Sequence, residues 1–287
     1  MERTSPVAGT LTQDHSERPW ALRDLPPFPA VATRVLQLLA REDVPLQQVV
    51  DLIRADAAFS AGILRTANSA LFGLSSKVET VKHAVLILGV DRVRALTLTV
   101  ALGSHLRAAL RIEVLRRCWR HSVACALISE ELAALCSLPQ DRAFTAGLLH
   151  DLGRLALLVA YPTQYANALL VSEENAFDLF QTERDLFDID HCEAGRWLMQ
   201  EWQLPAPYQE IAARHHQDLC PSRFDLLEVV SLGCRLADTL GCEVIKPKHL
   251  CTLDEARAAL PPAAQARFDL QPEALRTRIG SVVDSLG

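Results

Sequence analysis

Apolar residues over the first hundred positions recur in short runs at helical spacing. Val31, Val35, Leu38 and Leu39 mark one amphipathic helix, and Pro45 opens a second that carries Val49, Val50, Leu52 and Ile53. Asp56 is placed to cap a third, with Phe59, Ile63, Leu64 and Ala67 on one face, and Asn68-Ser69 end it before a loop at Phe72-Gly73. A fourth helix, from Thr80 to Leu88, stops at Gly89, a residue suited to the left-handed position past a helix end. Asp91 opens a fifth, with Val93, Leu96 and Val100 facing inward.

From about Leu106 the segments lengthen. A helix is expected over 113–135, carrying Trp119 and His121, and a continuous apolar helix over Ala143–Ala160. Tyr165 to Asp190 is helical but more polar. His191 precedes a helix with Ala194, Gly195, Leu198 and the core aromatics Trp197 and Trp202, broken at Leu204-Pro205. A short helix runs from Tyr208 to His215-His216, another spans 224–240, and Ile279, Val282, Val283 and Leu286 stripe a last one over 272–286. The predicted fold is therefore all-α, a multi-helix bundle. Its parts are a disordered tail at 1–19, rich in Ser, Thr, Gly and Pro, a small helical subdomain at 20–105, a larger one at 106–245 and a helical extension at 246–287.

Composition agrees with helices: 49% of 287 residues are hydrophobic and only 12 are Gly. A net charge of −6 argues against a general nucleic-acid surface. None of the eight cysteines forms a C-x-x-C pair, and several fall in apolar stripes as small hydrophobes. With no apolar leader and no run of membrane-span length expected, the chain reads as a cytoplasmic protein, without membrane association, whose cysteines are reduced.

One stretch departs from the bland pattern. In Gly147-Leu-Leu-His150-Asp151-Leu-Gly153-Arg154 an imidazole and a carboxylate are adjacent inside the apolar run, which is costly without compensation. A metal ion bound by both would compensate; so, structurally, would pairing of Asp151 with Arg154. Further potential ligands are His121, His191, His215, His216 and Asp238, each on or at the end of a helix in the second half. A bundle can aim such side chains at one interior point, and two divalent ions would suit the set. Alone, His121 reads as a satisfied helix histidine and Asp238 as a partner of Arg235. Adjacent helical residues diverge, so at most one of His215 and His216 is expected to be a direct ligand without distortion. Without an ion, Asp151→Ala is expected to relieve a desolvation cost. Lys246-Pro-Lys-His249 reads as an exposed loop, and the cysteines are given no functional role.

Leu25-Pro-Pro-Phe28-Pro29, Ile53-Arg-Ala-Asp56, Ile63-Leu-Arg-Thr-Ala-Asn68-Ser69 with Phe72-Gly73, and Ala84-Val-Leu-Ile-Leu-Gly89-Val-Asp-Arg-Val-Arg94 together resemble the N-terminal half of the HDOD family, HD-related output domains of bacterial signalling proteins. The order His121, His150-Asp151, Asp238 resembles the basic ligand set of HD metal-dependent phosphohydrolases. His191-Cys-Glu-Ala-Gly195 and His215-His216 resemble the extra ligands of the dinuclear HD-GYP branch, which cleaves cyclic dinucleotides. The resemblance, from Leu25 to Leu240, implies an HD-like second subdomain and divalent ions, iron or manganese. It allows a regulator without turnover, working through protein partners, a nucleotide second messenger or a homodimer. It also allows a phosphodiesterase with Asp151 and Arg154 at its centre. Two departures favour the regulator. After His216 comes Gln217-Asp218-Leu219-Cys220-Pro221 in place of an acid and a Gly-Tyr-Pro loop, and Arg154 stands where the active branch usually has Lys. Arg can fork onto a phosphate but is a poorer proton donor.

Overall fold

Some of the predicted helix ends are held by side-chain hydrogen bonds. In a computed structural model describing residues 19–106, 113–220 and 224–286, apart from positions 24, 26, 27, 42 and 70, a 3-10 turn (Trp20–Leu22) leads to α1 (Ala30–Leu39), α2 (Leu46–Arg54), α3 (Ala57–Ala67) and α4 (Val81–Leu106). The expected tail, Pro19 aside, lies outside the described residues. Asp56 caps α3 by accepting from the Phe59 amide at 2.9 Å. Asn68 does more than end that helix. Its side chain bonds both the N–H and the C=O of Val78, at 2.8 Å each, and pins the following loop. At Gly89 the backbone takes φ 72°, so the helical path of α4 is interrupted where the sequence pattern stops. Asp91 pairs with Arg94 one turn on, at 2.8 Å.

The second half comprises α5 (Glu113–Leu135), α6 (Gln140–Leu149), α7 (Leu152–Ala160), α8 (Pro162–Asn175), α9 (Leu179–Phe187), α10 (His191–Glu201), α11 (Ala206–Arg214) and α12 (Leu226–Ala237), the last running into a π turn at Asp238–Cys242. Then come α13 (Leu253–Ala259), α14 (Pro262–Gln265) and α15 (Pro272–Leu286). Among the described residues there is no strand. Helix α5 lies at the centre, against α6, α12 and α15, and α10 packs on both α7 and α11. Buried apolar side chains of the two halves join in one continuous core, in which Phe28 stacks on Trp202 with ring centroids 4.3 Å apart.

Three expectations are corrected. The apolar run 143–160 is two helices, because the backbone leaves the helical path at Asp151 (φ −103°, ψ 23°). The segment 165–190 is likewise two helices, separated after Ala176 takes a left-handed φ of 53°. Finally, α6 and α7 together form a 21-residue stretch, Gln140–Ala160, apolar and long enough to cross a membrane by length and composition; 89% of its apolar window is buried inside the protein.

The broken helix positions the later site through a close crossing. A Cβ added to Gly153 on α7 would lie 2.0 Å from the His191 carbonyl oxygen and 2.4 Å from the Gly195 nitrogen on α10. Backbone cannot yield there as a flexible side chain would. Gly153→Ala is expected to cost about 3 kcal/mol, read as a lower urea midpoint. Wild-type stability would show that the two helices are not held at this distance.

Candidate metal centre

The break between α6 and α7 turns His150 and Asp151 toward the same interior point, where a continuous helix would splay them about 100° apart. His121 comes from the middle of α5, His191 from the first turn of α10, and His215 and His216 from the end of α11. Asp190 fixes the start of α10 by accepting from the Glu193 amide at 2.9 Å. His121, His150, Asp151, His191 and His215 are each at most 4% exposed, while His216 lies at the exposed edge of the cluster. His215 reaches the interior from the still-helical end of α11, and His216 approaches the cluster from its exposed edge, its Nε2 3.1 Å from His191 Nε2. Asp238 faces His121 Nδ1 at 3.4 Å, and Arg235 turns away to the Gln217 carbonyl.

Four of the imidazoles are oriented the same way. Each Nδ1 meets an acceptor on its outer side: the Cys242 carbonyl for His121 at 3.0 Å, the Gly147 carbonyl for His150 at 2.6 Å, Glu183 for His191 at 2.7 Å and the Ala212 carbonyl for His215 at 3.0 Å. Carbonyl and carboxylate oxygens only accept, so each ring donates from Nδ1 and presents Nε2 to the interior. Burial lowers His121 to about 4 and holds His150 well below the usual imidazole range, which keeps both lone pairs available. His215 Nε2 lies 3.5 Å from Asp151 Oδ1, too long for a good hydrogen bond. As a result His150 Nε2, Asp151 Oδ1 and His215 Nε2 are all buried without a hydrogen-bond partner. One ligand atom from each of these three residues lies within 4.8 Å of the others. Unpaired buried polar atoms are rare and costly; two imidazole nitrogens and a carboxylate oxygen are a fitting donor set for a divalent ion.

Asp151 has a second neighbour. Arg154 Nε donates to its Oδ2 at 2.9 Å, and Arg154 Nη2 lies 3.2 Å from His191 Nε2. Burial alone would push the Asp151 carboxyl up; the Arg154 guanidinium and the surrounding histidines reverse this and hold it well below the usual carboxylate range. His191 is pulled both ways. Against burial, Glu183 pushes its imidazole up to about 10, whereas an Arg154 N–H can be accepted only by a neutral ring. With Nδ1–H held by Glu183 and Nε2 facing a donor, the hydrogen bonds are those of the neutral Nδ1–H tautomer.

Glu183 was not singled out from the sequence. It is fully buried, accepts from the His191 amide and ring, and receives the Tyr165 hydroxyl. The signal was present: Leu179, Glu183 and Phe187 share one face at four-residue spacing, an acid inside an apolar stripe. Two cysteines also line the cluster. Cys234 Sγ lies 3.4 Å from His121 Nε2, and Cys192 Sγ 4.0 Å from His215 Nδ1. From His121, Asp151, Arg154, His191, His216 and Asp238 a cavity of about 840 Å³ opens outward past Phe180 and Phe177 to Lys246 and Lys248; His150 and His215 lie behind its wall. The loop expected to be merely exposed thus forms its rim.

The Arg154 pairing reverses the expectation for Asp151. Removing the carboxylate strands a buried guanidinium instead of relieving a burial cost. Metal-free Asp151→Ala is expected to lose about 3–5 kcal/mol in urea unfolding, and Asp151→Ala with Arg154→Met to recover most of it. A single variant as stable as wild type would show that the pair contributes nothing.

An uncharacterized protein of Treponema pallidum (strain Nichols) is 26% identical over 198 residues, 67% of this chain; the chain spans only 38% of that relative's length. Among solved structures, a proposed phosphohydrolase from Shewanella amazonensis SB2B is 22% identical, with a TM-score of 0.68 over 93% of this chain and 96% of its own. An HDOD domain protein of unknown function from Geobacter sulfurreducens is 20% identical, with a TM-score of 0.66 over 92% and 91%. At such identities these likenesses speak for the fold. The HDOD domain itself matches residues 25–218, which take in every gathered histidine, Asp151 and Arg154 and leave out Asp238, and the chain belongs to the HDOD family.

Proposed function

We propose that this HDOD protein is a regulator of signalling whose interior pocket binds a divalent ion, iron(II) or manganese(II), and does not turn over a substrate. The observation that carries the proposal is the common orientation of His121, His150, His191 and His215, with Nδ1 bonded outward and Nε2 aimed inward beside Asp151. On this reading His150, Asp151 and His215 hold the ion, His121 and Asp238 flank it on one side and His191 and His216 on the other. Once bound, the ion would supply a fixed positive charge and a Lewis-acidic centre. The protein's own contribution is to keep the donors dry, His121 and His150 neutral and Asp151 ionised. Against turnover stand the engagement of Asp151 Oδ2 by Arg154 and the sequence after His216. Regulation would then run through protein partners, a nucleotide second messenger or a second copy of the chain, in a cytoplasm where its cysteines stay reduced.

A metal-dependent phosphodiesterase is the second reading. The cavity that reaches Asp151 is rimmed by Lys246 and Lys248, and Arg154 Nη1 is buried without a partner, a free donor for a phosphate oxygen.

Metal analysis of protein purified without chelator, followed by assays on cyclic dinucleotides and generic phosphodiesters with added manganese or iron(II), separates the two. Bound metal with negligible hydrolysis is expected. Robust hydrolysis that vanishes in Asp151→Ala would sink the regulatory reading, and metal-free protein that takes up no ion would remove the site.

A further inference from the structure

The pocket gathers more donors than one ion uses, and they divide by what they already bond. His150 Nε2, Asp151 Oδ1 and His215 Nε2 have no hydrogen-bond partner, His150 Nε2 lying 4.0 Å from Asp151 Oδ2 and His191 Nε2 3.7 Å from Oδ1. The other side is engaged. Asp151 Oδ2 receives Arg154 Nε at 2.9 Å, His191 Nε2 faces Arg154 Nη2 at 3.2 Å, and His216 Nε2 lies 3.1 Å from that same His191 nitrogen. Arg154 as a residue is only 4% exposed, three residues beyond the aspartate. It is permanently charged and carries its donors in a rigid fork. It therefore supplies, between one carboxylate oxygen and one imidazole lone pair, the positive charge that a second metal ion would bring to those atoms. An ion placed there would have to displace Arg154 and leave a buried cation beside it, and the repulsion is strong in a site of low dielectric.

We propose that Arg154 is the pocket's built-in second cation: it holds the Asp151–His191 side, limits the protein to one divalent ion on the His150–Asp151–His215 side, and its removal opens a second metal site. The inference rests on reading the pocket as a metal site and makes a distinct claim about number. It also accounts for a donor set of dinuclear size in a protein read as having no turnover. Arg154 and the single ion then share Asp151, so no pair of metal ions shares the carboxylate.

Manganese(II) is the probe. Wild type, Arg154→Met and Arg154→Lys are stripped, reloaded and dialysed. Metal per chain is then measured by plasma mass spectrometry, ion–ion coupling by electron paramagnetic resonance and folding by circular dichroism. The expected result is about one ion per wild-type chain with the spectrum of an isolated ion, and about two in Arg154→Met with an exchange-coupled spectrum, as for ions sharing a bridging carboxylate. Arg154→Lys, which keeps the charge, should stay with the wild type. A coupled pair in wild type overturns the proposal, and so does a folded Arg154→Met that holds a single ion; in that case the metal reading of the pocket survives. No binding in either protein overturns both. Should Arg154→Met fail to fold, the same count and spectrum in Arg154→Gln decide.

Discussion

Burial of the Asp151 carboxylate is the constraint on which the second half of the molecule turns. At 1% exposure a carboxylate must be matched by positive charge or by donors, or the helices around it lose stability. The chain matches one oxygen with Arg154 and surrounds the carboxylate with the imidazole nitrogens of His150, His191 and His215, the first and last of which have no hydrogen-bond partner. Several local features follow from that arrangement. The helix breaks at residues 150–151, α7 and α10 cross at Gly153 and Gly195, and the end of α11 brings His215 into the interior.

Orientation of the rings comes from outside the cluster. Three of the four outer acceptors are backbone carbonyls, of Gly147, Ala212 and Cys242, and the fourth is Glu183, itself held by Tyr165 and the His191 amide. Fold and site are thus coupled. The acceptors exist only when α6, α9, α11 and the π turn after α12 are in place, and the inward lone pairs exist only because the acceptors do. A metal bound there would stabilise the folded chain by mass action, which suits a pocket whose occupancy reports a state.

The donor residues were legible in the sequence because imidazole and carboxylate side chains stand out on apolar helices, and their order matched a known pattern. The helix pattern was legible for a similar reason: the periodic stripes of α1 to α3, the stop at Gly89 and the Asp56 cap are local. What stayed hidden was set by tertiary contact. Leu148, Leu149, Leu152 and Leu155 continue the helical period straight through the break, so nothing local announces it. The reach of His216 depends on where α11 ends. Glu183 is one acid among many until its neighbours on α9 are known to be buried. Arg154 could be read as a phosphate ligand, and only the three-dimensional arrangement hands it to Asp151 and His191.

The most direct test is nitrogen NMR of the histidine rings, with ¹⁵N-labelled protein titrated with diamagnetic zinc(II). If the pocket works as described, His150 and His215 keep a protonated Nδ1 throughout and respond to the ion at Nε2, while the Nδ1–H groups of His121 and His191 are undisturbed. Coordination through Nδ1 at His150 or His215, or rings whose nitrogens do not respond to the ion at all, would contradict the inward-facing donor set.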